Sequence, residues 1–210
     1  IRIPYGGGIG AVEHHSESPE AYFAHTPGLR VISPSNSNDA YWMIQQAIES
    51  NDPVIFFEPK RRYWQKGMVN LDSPPSSMHD AKVLREGTQV TLVSYGPMIP
   101  TALQAAEIAA SEGISIEVVD LRSMSPIDFS TIINSVKKTG RLVVASEAST
   151  SFSVSAEIAA KVAELAFYHL EAPVIRVGSF DVPYPPAKLE ELFLPDADRI
   201  LEAVDRSLNY

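Results

Sequence analysis

Hydrophobic positions along the chain recur at two spacings. Val54-Ile55-Phe56-Phe57 is an unbroken apolar run of strand length, which predicts a strand buried on both faces. Ala40, Met43, Ile44, Ala47 and Ile48 instead recur at i, i+3, i+4, i+7 and i+8, the stripe of an amphipathic helix with its apolar side in a core. Ser35-Asn36-Ser37-Asn38-Asp39 is dense in capping residues and opens that helix, and Asn51-Asp52-Pro53 stops it. Upstream, Ile1 to Pro4 and Arg30 to Ser33 read as short strands, separated by a short helix after Ser18-Pro19 and a turn at Thr26-Pro27-Gly28.

From Ala81 the pattern becomes an alternation of strands and helices, the signature of a mostly parallel α/β sheet. Val90 to Tyr95, Ile114 to Val119, Leu142 to Ala145 and Val174 to Val177 are predicted strands. Thr101 to Ser111 is a helix whose small residues Ala102, Ala105, Ala106 and Ala109 let it lie close to the sheet. A second begins at Ser125-Pro126-Ile127-Asp128, buries Phe129, Ile132, Ile133 and Val136, carries Lys137-Lys138 at its dipole's negative end and closes at Gly140. Val154 to Phe167 and Arg199 to Leu208 complete the helices. Between the two regions, Pro59 to His79 holds Lys60-Arg61-Arg62, Tyr63-Trp64 and Pro74-Pro75-Ser76-Ser77 and sustains no regular element, so it reads as a linker. Its basic triplet reads equally as a site for an acidic partner and as a solvated surface run. The predicted organisation is residues 1–60, a linker at 61–80, and a domain at 81–210. No internal repeat is found.

Composition narrows the function classes. The net charge of −9 over 210 residues argues against a nucleic-acid partner, whose phosphates need Lys and Arg. No apolar run reaches membrane-spanning length, and no signal peptide is read. Without cysteine, disulfides, thiol catalysis and thiolate metal sites are excluded, and a cytoplasmic location is expected.

The candidate chemistry sits in Gly6-Gly7-Gly8-Ile9-Gly10 followed by Glu13-His14-His15-Ser16-Glu17-Ser18-Pro19-Glu20. A run of polar and titratable residues cannot be a core element, and the glycines let backbone or ligand approach closely. Histidine is the side chain whose ordinary pKa lies near working pH. A metal site at Glu13-His14-His15 is disfavoured, because adjacent residues point apart and no second ligand cluster stands at metal spacing. Gly6-x-Gly8-x-x-Ala11 imitates a dinucleotide fingerprint but is rejected, since no apolar periodicity for a helix follows it. Asp120 and Glu147, at strand ends, invite an acid/base reading, but Asp120 is better taken as the ion-pair partner of Arg122.

These stretches, with Thr26-Pro27-Gly28-Leu29, Asp52-Pro53-Val54-Ile55-Phe56-Phe57-Glu58-Pro59-Lys60, Val118-Val119-Asp120-Leu121-Arg122, Lys138-Thr139-Gly140-Arg141, Leu170-Glu171-Ala172-Pro173 and Asp181-Val182-Pro183-Tyr184-Pro185, resemble the beta subunit of the first component of 2-oxo acid dehydrogenases, in family order over nearly the whole chain. The resemblance implies an α/β fold: an incomplete thiamine-pyrimidine-type domain followed by a transketolase C-terminal-like domain. It implies oxidative decarboxylation on thiamine diphosphate with magnesium, and reductive acylation of a lipoyl arm in which His15 is the catalytic histidine. The cofactor is then held mainly by an alpha subunit and by an N-terminal segment that includes the activating glutamate and has no match here. The chain, starting at Ile1 within a strand, is therefore read as a fragment, inactive in isolation. No Gly-Asp-Gly occurs, as expected of a beta chain. The implied partners are an alpha subunit in an alpha2beta2 heterotetramer and a lipoyl-bearing acyltransferase. A structural potassium ion near Ile48 to Asp52 is implied as well. Phe56-Phe57-Glu58-Pro59-Lys60 resembles branched-chain members more than pyruvate members, so a branched-chain 2-oxo acid is the favoured substrate, with pyruvate as the alternative. Two other readings are a non-catalytic docking module and another thiamine enzyme such as a transketolase, the latter disfavoured by Glu13 to Glu20. One departure stands out: Ser146-Glu147-Ala148-Ser149-Thr150-Ser151-Phe152-Ser153-Val154 lacks the histidine and glycines that relatives carry there, which puts close packing at the following helix start in question.

Overall fold

A computed structural model describes residues 1–74 and 76–210. Among the described residues, nine strands form two sheets. Strands β1 (Arg2–Tyr5), β3 (Val54–Pro59) and β2 (Arg30–Ile32) run parallel in that spatial order, with β7 (Ser123–Ser125) antiparallel beside β2. The second sheet has the order β4 (Lys82–Arg85), β6 (Ile116–Asp120), β5 (Val90–Ser94), β8 (Leu142–Ser149) and β9 (Ile175–Ser179), all parallel except β4. The architecture is the expected one: two α/β units with mostly parallel sheets. The apolar run Val54 to Phe57 is a buried strand, and its aromatic Phe57 stacks on Tyr5 and Phe23.

Helices α1 (Glu20–Ala24) and α2 (Ser37–Glu49) accompany the first sheet, while α3 (Ile99–Ser111), α4 (Phe129–Thr139), α5 (Val154–Ala166), α6 (Glu190–Phe193) and α7 (Ala197–Leu208) accompany the second. Ala102, Ala105, Ala106 and Ala109 of α3 are fully buried and pack, with Ile200, Ala203 and Val204 of α7, against one face of the second sheet. Ile132 and Val136 of α4 and Ile158 and Val162 of α5 pack in a core that also holds Tyr5, Val31, Ile55 and Phe57 of the first sheet. One hydrophobic core is thus shared by the two units. Helix α4 starts on Asp128, whose side chain accepts the Thr131 amide, and ends at Gly140 in the left-handed region.

Several expectations are corrected. Ile48 is not in the core: it is 76% exposed, because the sheet beneath α2 covers Met43 fully and Ile44 and Ala47 partly but does not reach the last turn. The short helix after Ser18-Pro19 forms as α1, but without a side-chain cap: Pro19 occupies the cap position. In the basic triplet, Arg61 and Arg62 are not solvated surface residues but are engaged inside the fold. Arg61 pairs with buried Glu147, and Arg61 and Arg62 both donate to the Pro97 carbonyl, at 2.9 and 2.8 Å. Arg122 does not pair with Asp120. Its guanidinium faces Asp39 at 3.3 Å, both side chains being fully buried, and Lys82 reaches the same carboxylate at 2.7 Å. Arg122 also donates to Ser76 Oγ and to the Ser77 and Asp80 carbonyls, so it fastens the segment before β4 to α2 and to the end of β6.

Candidate active site

The parallel strand β1 ends at Tyr5, and the glycine-rich loop leaves from its C-terminal end, the place where open α/β sheets put their ligands. Gly6, Gly8 and Gly10 have positive φ, and a single 3-10 turn, Val12–His14, lies ahead of His15. His15 and His14 are exposed, whereas Ser16 next to them is buried. Within the loop the backbone makes few bonds of its own: Gly6 N–H to the Glu17 carbonyl at 3.2 Å and Ser16 N–H to the Val12 carbonyl at 3.0 Å.

Its anchors come from far along the chain. Glu147, at the end of β8, accepts the Gly7 amide at 2.8 Å, and Glu190, on α6, accepts the Gly10 amide at 2.8 Å. The Tyr184 hydroxyl donates to the other oxygen of Glu190 at 2.5 Å. Gly7 has no room for a side chain, since a Cβ there would stand 2.5 Å from the Tyr184 hydroxyl and 2.7 Å from Leu194. The loop is therefore wedged between the two units.

Beneath it lies a buried polar cluster. Tyr95 donates to Glu20 Oε1 at 2.6 Å, and the Tyr5 and Ser33 hydroxyls are 2.8 Å apart. Burial pushes the Glu20 carboxyl up to about 7, against the opposing hydrogen bond from Tyr95. Glu147 is also raised by burial, although Arg61 and the Gly7 amide pull it the other way. For Glu190, burial acts upward too, but the Tyr184 hydroxyl and the Gly10 amide outweigh it and hold the carboxyl below its ordinary value. Asp120 lies elsewhere, between Ser35 and the Arg122 amide, and burial pushes it up to about 7. Glu147 and Asp120 thus serve backbone and hydroxyl donors inside the fold and present no acid to solvent.

Sequence reasoning placed His15 and the glycines together but missed Glu190 and Tyr184. Nothing near either residue signals an anchor: Glu190 holds an amide 180 residues earlier in the chain, and Tyr184 acts on the loop through Glu190.

Residues 79–200 match the transketolase C-terminal domain, and residues 1–65 match the transketolase pyrimidine-binding domain. The chain belongs to the transketolase C-terminal domain family. Within that family it is similar to the pyruvate dehydrogenase E1 component subunit beta of Leifsonia xyli, at 64% identity over all of this chain and 62% of that protein. It is also similar to the 3-methyl-2-oxobutanoate dehydrogenase subunit beta of Mycobacterium tuberculosis, at 51% identity over 99% of this chain and 60% of that protein. Its homologues are thus first-component beta subunits of both the pyruvate and the branched-chain type. A solved structure described as a split gene transketolase, an inactive beta4 tetramer, superposes with a TM-score of 0.76 at 29% identity, over 93% of this chain and 62% of that one. The chain therefore spans about 60% of the length of the curated relatives it matches. No described helix is long and apolar enough to cross a membrane.

Proposed function

We propose that this chain is part of the beta subunit of a thiamine diphosphate-dependent 2-oxo acid dehydrogenase, and that His15 serves the reductive acylation of a lipoyl arm. The observation that carries this reading is an exposed histidine on a loop at the C-terminal end of β1, in a chain 64% and 51% identical to two such subunits along its length. As the dithiolane S–S bond opens and one sulfur takes the acyl group, the other sulfur needs a proton. An imidazole N–H on a solvent-facing loop can deliver it.

Among the described residues, the charged groups around the loop are already engaged within the fold and offer no cradle for thiamine diphosphate and magnesium. Glu147 and Glu190 are turned onto the Gly7 and Gly10 amides, and Arg61 and Arg62 are taken up by Glu147 and Pro97. Among the described residues no group of three acidic or histidine side chains could hold a metal. We assign the holding of the cofactor to an alpha subunit and to further beta-chain sequence, and the decarboxylation chemistry belongs to that cofactor. The neighbour described as an inactive beta4 tetramer supports the view that a beta chain without its partner does not catalyse. The assembly we infer is an alpha2beta2 heterotetramer that acylates a lipoyl-bearing acyltransferase in the cytoplasm. The domain division we favour is 1–60, 61–80 and 81–210, and a structural potassium ion near Ile48 to Asp52 belongs to the same proposal.

For the substrate, the resemblance of Phe56 to Lys60 supports a branched-chain 2-oxo acid. The 64% identity to a pyruvate-type subunit favours pyruvate as the second reading. The test is turnover by the complete beta chain reconstituted with its alpha subunit. 2-oxo acids are expected to acylate a free lipoyl domain, with kcat/KM higher for 3-methyl-2-oxobutanoate than for pyruvate. The reverse order would transfer the assignment to pyruvate. Ketol transfer between sugar phosphates, without 2-oxo acid turnover, would replace the dehydrogenase reading by a transketolase.

A further inference from the structure

We propose that Glu190 is a positioning residue for His15: a carboxylate of the C-terminal unit that holds the glycine-rich loop by the Gly10 amide and so sets where the histidine stands. The inference rests on the reading of His15 given above. The His15 loop runs from Gly6 to Pro19 with little regular structure, so its shape must be imposed from outside. Glu190 is only 5% exposed and takes two hydrogen bonds, one from the Gly10 amide and one from Tyr184. No Lys or Arg pairs with it among the described residues, so these neutral donors stabilise its charge. Tyr184 is itself fixed, edge-on to Phe193 of the same short helix at 5.0 Å between ring centroids. Ser16, the residue after His15, is buried beside this pair, with its hydroxyl turned toward Glu190 and Tyr184. The linkage is therefore short: α6 and Tyr184 fix Glu190, Glu190 fixes Gly10, and the buried Ser16 ties His15 to the same place. Gly10 has φ +67, and its missing Cβ would come 3.4 Å from Ala187, so the loop passes close over the segment that leads into α6.

The test uses the complete beta chain assembled with its alpha subunit. In Glu190→Gln, amide exchange in residues 6–18 is expected to speed up about tenfold or more. Acyl transfer to a free lipoyl domain is expected to fall by about tenfold to a hundredfold, the size of effect a misplaced group produces. Decarboxylation read with ferricyanide, which bypasses the lipoyl arm, is expected to stay within about twofold. Adding Glu190→Gln to His15→Ala is expected to cost no further acyl transfer, because the carboxylate acts through the histidine. Tyr184→Phe, which removes one donor and leaves the ring packing, is expected to move exchange and acyl transfer the same way by less. It supplies the same comparison if Glu190→Gln does not assemble. Unchanged exchange in residues 6–18 overturns the proposal, and so does a Glu190→Gln defect that persists in full on the His15→Ala background. If His15→Ala alone leaves acyl transfer intact, the reading of His15 fails, and the exchange measurement still decides whether Glu190 holds the loop.

Discussion

Phe152 shows what a single residue can carry against its surroundings. It has φ +53 and is 97% exposed, so an aromatic side chain occupies a left-handed position without any packing in return. The turn that leads through Ser153 into α5 uses this positive φ. Phe152→Gly is expected to stabilise the fold by about 1 kcal/mol, read as a higher urea midpoint with unchanged slope, because glycine adopts this region without the Cβ clash. At this scale the sequence was informative wherever the chemistry is local. Glycines and histidines in one run marked the loop at once. Glu147 and Glu190 were not readable as its anchors, because a carboxylate that caps a distant amide leaves no mark on its own neighbourhood.

At the scale of elements, legibility followed periodicity. The stripes of α2, α3, α4 and α5 and the apolar runs of β3, β5 and β8 were all evident, since each repeats the spacing of its own backbone. Strands β4 and β7 were not. Ser123-Met124-Ser125 is too short to alternate, and it becomes a strand only because Val31 and Ile32 of β2 lie opposite. Ile48 failed for a related reason, because a helical stripe reports which side is apolar and not how far the sheet beneath extends. The start of α4 is the clearest local success. Asp128 accepts the Thr131 amide at 3.1 Å and, through its other oxygen, the Ala81 amide at 3.1 Å, so it caps the helix and ties down the entry to β4. Asp128→Ala is expected to cost about 1–2 kcal/mol in urea unfolding. A loss well under 0.5 kcal/mol would mean that solvent replaces both bonds.

For the whole molecule, the two units are joined by buried polar groups as well as by a shared core. Arg122, Asp39 and Lys82 form one such joint. Glu20 and Tyr95, with Tyr5 and Glu147 close by, form the other, beneath the His15 loop. The second joint has a definite pH signature. Glu20 titrates near 7 in the folded chain against 4.5 ordinarily, so between those values the folded state binds more protons than the unfolded one. The stability it contributes is full below about pH 4.5 and is lost as pH rises through about 7. Glu20→Gln is therefore expected to gain stability relative to the parent chain between pH 5 and pH 8, read from urea midpoints at the two values. An equal difference at both would place the carboxyl's titration elsewhere. None of this joint was legible in the sequence, because its members lie on β1, α1, the end of β5 and the end of β8, and only the folded chain brings them together.

Whether this seam presents His15 to a lipoyl arm, as proposed above, is read most directly from a pair of rates on His15→Ala in the assembled complex. Acylation of a free lipoyl domain is expected to fall by about a hundredfold or more, the usual contribution of a positioned proton donor. Decarboxylation read with ferricyanide is expected to stay within a few-fold of the parent, because that route needs no proton delivered to sulfur. Equal losses in both rates, or no loss in either, would mean that His15 does not serve the lipoyl arm.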